Sequence, residues 1–196
     1  MSAPAPQQAE PGRRAVVRMA LRAALGTPGL VLFVSMIGFG GLLREAGLDL
    51  PVGLVMTGAI WALPSQVVLA GSIAGGASLL AAATAVTLSA VRLMPMTAAI
   101  MPTLRGEGTS KLTLAALSHF VALTPWVIGL QTLPTLPRKV RPLWFATLGL
   151  ALTVSNFAAT ALGYWGAAAL PERLAGLLVF LTPLYFLTSM SGTARS

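Results

Sequence analysis

The chain has no cysteine, one histidine and only five carboxylates (Glu10, Glu45, Asp49, Glu107, Glu172) in 196 residues. Without thiols there can be no disulfide, no thiolate nucleophile and no cysteine-ligated metal. A single imidazole, His119, with no carboxylate inside the apolar segments does not make a metal site. No metal or other cofactor is therefore expected. The Gly-rich phosphate loop of the Walker type is missing too, so the chain does not hydrolyse ATP by itself. With no Cys, no His cluster and no membrane-embedded acid, the usual groups of an intramembrane hydrolase or lipid-modifying enzyme are absent. A non-enzymatic role is expected.

Charge is scarce as well. Charged residues make up 9% of the chain and hydrophobic ones 56%, whereas a soluble domain carries about a quarter of its residues charged. Six apolar runs can be read: A from Ala23 to Leu43, B from Leu50 to Ala70, C from Gly76 to Pro102, D from Leu112 to about Leu133, E from Leu143 to Leu170 and F from Leu174 to Met190. Each approaches or exceeds the roughly 20 helical residues that cross a hydrocarbon core. The runs are continuously apolar and lack the alternation of a membrane barrel, and helices satisfy their own backbone in lipid. The expected fold is all-α, a polytopic membrane protein of about six transmembrane helices. Residues 1–22 are expected to be a disordered basic tail, and residues 23–196 one transmembrane domain. The arginines before run A resemble the start of a signal peptide, but no convincing cleavage site follows and five more apolar runs do.

The net charge of +8 is distributed as a topology signal, not as a nucleic-acid patch. With alternating spans, Arg13, Arg14, Arg18, Arg22, Arg138, Lys139, Arg141 and Arg195 fall on one side, and Arg44, Arg105, Lys111 and Arg173 on the other. The bias places the N-terminus in the cytoplasm and suits anionic lipids on that leaflet.

Two halves of three runs each, A–C and D–F, would permit a 3+3 inverted repeat with broken helices. Pro28 of run A corresponds to Pro125 of run D, and Ser65–Gln66 of run B to Ser155–Asn156 of run E. From Gln66 to Arg92 is 26 positions, and the same step from Asn156 reaches Thr182, beside Pro183.

Arg92 is the one charge within run C. Near a bilayer centre an arginine costs roughly 2.5–3.5 kcal/mol on insertion scales, so something must compensate it. A substrate carboxylate, an acid on a partner subunit, backbone carbonyls or a lipid headgroup could do so. Pro64 and Pro95 each remove a backbone donor and can open a helix, exposing carbonyls or providing a gating point. Gln66, Ser65, Asn156 and Ser155 are candidate polar contacts for a substrate; interhelical hydrogen bonds are the competing use of such side chains. His119 is the one group able to carry proton coupling near neutral pH, with an interfacial or packing role as the alternative, since it lies eight residues after Lys111.

The stretch from Trp61 to Gly106 contains Ser65–Gln66, Gly76-Ala77-Ser78-Leu79, Arg92 and Pro102-Thr103-Leu104-Arg105. These motifs and their order resemble the AzlC family of branched-chain amino acid permeases, over about residues 25–190 in layout. The family's Asn and His flanking the arginine are replaced here by Ala90 and Leu93, and a polar cluster of its fourth span by Ser118-His119-Phe120. The resemblance implies a secondary transporter that exports neutral, branched-chain amino acids across the bacterial inner membrane, paired with a small AzlD-type membrane subunit. The carboxylate of such a substrate would suit the planar guanidinium of Arg92. Transport of another small carboxylate-bearing solute, or a non-transporting assembly role, are the alternatives.

Overall fold

The structure, a computed structural model, describes residues 11–106 and 108–166 together with Leu177 and Leu184. Apart from those two leucines, run F lies outside the described residues, as does the C-terminal end of run E. Among those described there are nine α-helices: α1 (Arg13–Ala24), α2 (Thr27–Glu45), α3 (Leu50–Ala59), α4 (Leu63–Ala74), α5 (Leu79–Ala90), α6 (Leu93–Leu104), α7 (Lys111–Ser118), α8 (Leu123–Thr132) and α9 (Arg141–Gly166). Short 3-10 turns, Leu133–Thr135 and Arg138–Val140, join α8 to α9. The all-α membrane class follows from these helices and their apolar sequence.

Proline positions explain most of the punctuation. Pro28, Pro64, Pro95 and Pro125 all sit in the first turn of a helix, where the missing N–H is not needed. A proline also collides with the carbonyl four residues upstream, which disfavours a continuous helix through that point. The four upstream residues are Ala24, Ile60, Val91 and Val121, and each either ends a helix or lies in a gap between two helices. Pro102, near the end of α6, is the exception, with two more helical residues after it. Run E has no proline between Pro142 and Pro171, and its helix α9 is continuous for 26 residues.

Helix α9 is the axis of the fold. It packs most extensively on α2, then on α1 and α3. Glycines allow the α2–α9 approach: a Cβ on Gly40 would overlap the Thr160 carbonyl, and one on Gly163 the Ile37 carbonyl. The glycines before and at the start of run C do not serve this purpose. Gly71 and Gly76 have open space beside them, and Gly76 instead supplies a positive φ of 68° in the α4–α5 turn. Of the run C alanines, Ala82 is the buried one within α5.

Contacts along α9 give the depth of every other element. Arg141, at one end, reaches the Thr103 carbonyl. Gly149 lies under Phe120, Thr153 under Trp61, Phe157 beside Gly58, and Tyr164, near the other end, accepts from Arg44. Helix α7 therefore starts at the Arg141 end and stops halfway, and α8 returns to the same end. Helix α3 starts at the Tyr164 end, near Leu43, and also stops halfway. Helix α4 then turns back, pairing antiparallel with α5, which leads through α6 to the Arg141 end.

This corrects the reading of runs B and D as simple spans. Each is a pair of short helices reversing at mid-depth. Among the described residues, α2 and α9 are long and apolar enough to cross a membrane, and α5–α6 is a third crossing if its 44° bend is counted as one span. The N-terminal tail is corrected in part as well. Its second half forms α1, an amphipathic helix that buries Val16 and Ala20 against the bundle.

Candidate functional site

The two half-depth hairpins meet tip to tip. The α3–α4 tip is Ile60-Trp61-Ala62, a γ-turn in which the Ala62 N–H donates to the Ile60 carbonyl at 2.8 Å and Trp61 has φ of 57°, the strained positive-φ form of that turn. The strain is held by burial to 4% exposure, by donation from Nε1 to Thr153 Oγ1 at 2.5 Å, and by an edge-on contact with Phe120 at 5.9 Å between ring centroids. Phe120 belongs to the opposing tip, formed by His119 to Ala122. There His119 Nε2 lies 2.9 Å from the Gly58 carbonyl, a geometry that needs the proton on Nε2. His119 thus lies level with the middle of α9, and its side chain is exposed.

Beside this junction is a buried polar layer. Thr57 Oγ1 is 2.9 Å from the Gly53 carbonyl, 3.3 Å from Thr160 Oγ1 and 3.4 Å from Gln66 Oε1. One hydroxyl hydrogen cannot serve two acceptors well. With that hydrogen on Gly53, Thr160 donates to Thr57, and turning the Gln66 amide over lets its Nε2 donate to the same oxygen. Ser65 Oγ pairs with Ser89 Oγ at 3.1 Å, tying α4 to the end of α5. Asn156 stands one helical turn before Thr160 on the same face of α9. It is 3% exposed, and its Oδ1 is buried without a hydrogen-bond partner. An unpaired buried acceptor costs about 1–3 kcal/mol and calls for an explanation; the buried indole Nε1 atoms of Trp126 and Trp144 also have no partner among the described residues.

The sequence-derived residues are therefore brought together only in part. Gln66, Ser65 and Asn156 share the buried layer. Ser155, the next position round α9, is half-buried outside it. Pro64 and Pro95 each follow a helix break. Arg92 lies in the α5–α6 bend as the residue before α6, one turn beyond Ser89, and is exposed. Its guanidinium makes no hydrogen bond or ion pair with the described residues. Around it, Leu88, Val91 and Met94 are 69%, 55% and 74% exposed, so the arginine stands on an apolar outer face. Thr57, Thr160, Ser89 and Trp61 complete the site without having been singled out as site residues. Thr160 was legible from its four-residue spacing to Asn156, whereas the part played by Thr57 required the fold.

Tryptophans divide similarly. Trp144 is fully buried and packs, while Trp165, at the Tyr164 end, is 65% exposed, as suits an interfacial anchor.

Helices interrupted near mid-depth beside polar side chains recur in membrane transporters. The AzlC family model, described as AzlC protein, matches residues 29–170. The chain belongs to the AzlC family, and its role is that of a membrane transport protein. No curated protein and no solved structure matches it.

Proposed function

We propose that the chain is the large subunit of a secondary exporter of neutral, branched-chain amino acids, working in the bacterial inner membrane with a small AzlD-type subunit. The observation that carries the reading is the unpartnered Oδ1 of Asn156 in the polar layer where the hairpins meet. An amino acid has an ammonium that needs acceptors in a dry site, and Asn156 supplies a free one. Its carboxylate needs a cation. Arg92, one turn from Ser89, stands at the outer edge of the same layer, where a partner helix would cover it.

The N-terminus is cytoplasmic in this reading. With run D a hairpin, Arg105, Lys111, Arg138, Lys139 and Arg141 all lie at one end, and at the other end Arg44 is the basic residue among those described. The basic end is the cytoplasmic one. His119, bridging the two tips, is where proton coupling within this chain would act.

The test is efflux of preloaded labelled leucine, isoleucine, valine and methionine from cells making the chain with its partner, at matched membrane abundance. Saturable efflux that Asn156→Ala and Arg92→Gln each reduce at least 10-fold is expected. If wild type exports none of the four, another small carboxylate-bearing solute or the non-transporting assembly role replaces this reading. The assembly role draws on the exposed apolar setting of Arg92. It predicts that Arg92→Gln releases the partner on purification and that neutralising a partner acid makes wild type do the same.

A further inference from the structure

At the basic end, a cavity of about 790 Å³ opens between α6 and α7. Its rim carries Arg105, Lys111 and Arg138, which come from three separate segments. Its walls are largely apolar, with Ala98, Met101 and Leu114 among them. No carboxylate among the described residues lines it.

The fold holds these like charges together. Arg141 donates from Nε to the Leu136 carbonyl at 2.9 Å and from a terminal nitrogen to the Thr103 carbonyl at 3.1 Å. That guanidinium joins the end of α6, two residues before Arg105, to the connector two residues before Arg138. Gly106 presses its backbone on the Arg138 carbonyl, where a Cβ would meet the oxygen at 2.5 Å. Arg141 is thus used as a staple. Arg105, Lys111 and Arg138 are exposed, and their side chains make no hydrogen bond or ion pair with the described residues.

We infer that this cavity binds an anionic phospholipid, with the headgroup phosphate against Arg105, Lys111 and Arg138 and the upper acyl chain along α6 and α7. Two features separate this from a site for a free phosphate ion. The cavity lies at the end of the membrane-crossing helices, where headgroups are, and most of its wall has nothing to offer a small hydrophilic anion. Arginine and lysine clusters at this level recognise anionic lipid, and the planar guanidinium suits a phosphate.

The test uses the full chain in its natural assembly, purified in mild detergent and examined by native mass spectrometry. Phosphatidylglycerol and phosphatidylcholine with identical acyl chains are the probes, each with and without inorganic phosphate. Wild type is expected to retain phosphatidylglycerol at least 10-fold better than phosphatidylcholine. Arg105→Gln/Lys111→Gln/Arg138→Gln is expected to retain both equally, and Arg44→Gln at the other end to behave as wild type. Should the triple variant not fold, Lys111→Gln alone is expected to lower the preference 2-fold or more. Equal retention of the two lipids by wild type would overturn the proposal. So would displacement of phosphatidylglycerol by millimolar inorganic phosphate that itself binds, which would assign the cavity to a soluble anion.

Discussion

Helix α9 and the α7–α8 hairpin come from adjacent apolar runs of similar hydropathy, yet one crosses the whole structure and the other turns back halfway. Run D, about 22 residues from Leu112 to Leu133, is long enough to span. It carries Pro125 in its interior, where α9 has no proline after its first turn. A break is necessary for reversal but not sufficient: α5–α6 is broken at Val91–Arg92 and only bends, by 44°. What makes a break into a reversal is a surface for the tip. Phe120 covers Gly149 of α9 and meets Trp61, and His119 meets the Gly58 carbonyl. At the α5–α6 bend, by contrast, Val91, Arg92 and Met94 are exposed.

The sharpest test of that contrast is topological, and a chain without cysteine is suited to it. Thr109→Cys and Thr135→Cys, introduced singly, are expected to react with an impermeant maleimide from the same side of sealed vesicles, and Gly47→Cys from the opposite side. A simple spanning run D puts Thr109 and Thr135 on opposite sides, so labelling of that kind would eliminate the hairpin.

Next in size is the continuous helix. Gly163→Leu forces a side chain into the Ile37 backbone, which cannot shift without separating α2 from α9. Overpacking of this kind costs about 3 kcal/mol or more where backbone is the obstacle. Loss of folded protein from the membrane fraction and a lower melting temperature in detergent are expected. Gly71→Leu, with open space beside it, should leave both unchanged.

At the junction the effect on transport should exceed that on stability. Asn156→Leu removes a buried acceptor that has no partner, so stability should hold or rise by about 1 kcal/mol while efflux falls at least 10-fold. Equal losses of melting temperature and efflux would make Asn156 a structural residue. Smallest is Trp61→Phe, which keeps the ring against Phe120 but loses the donation to Thr153. Since Thr153 Oγ1 also bonds the Gly149 carbonyl at 2.8 Å, the cost should stay near 1 kcal/mol, read as a small fall in melting temperature.

Much of this protein was legible residue by residue. Hydropathy located the apolar runs, and Pro64 and Pro95 marked two helix breaks, because loss of an N–H and a clash four residues upstream are local events. Gln66, Ser65 and Asn156 stood out as polar residues in apolar surroundings, and the structure buries all three. Arg92 stood out for the same reason but is exposed, one turn beyond Ser89 on the outer face. Sequence distance cannot say which side of a bent helix meets a neighbour. The inverted repeat of runs A–C and D–F involves run F, which apart from Leu177 and Leu184 lies outside the described residues. In the described part it is run B, not run A, that shares the hairpin form of run D, with Leu50 and Lys111 as the first residues of α3 and α7.

By itself the sequence determined the membrane class, the helical fold and several of the helix breaks, since these follow from the solvation of a segment or the covalent chemistry of proline. Whether a break bends or reverses, which polar side chains share a layer, and that Arg105 and Arg138 sit at one end were decided by tertiary structure. Those outcomes depend on contacts between residues far apart in the chain, such as Gly58 with His119 and Thr57 with Thr160, whose free energy exists only once the surfaces have met.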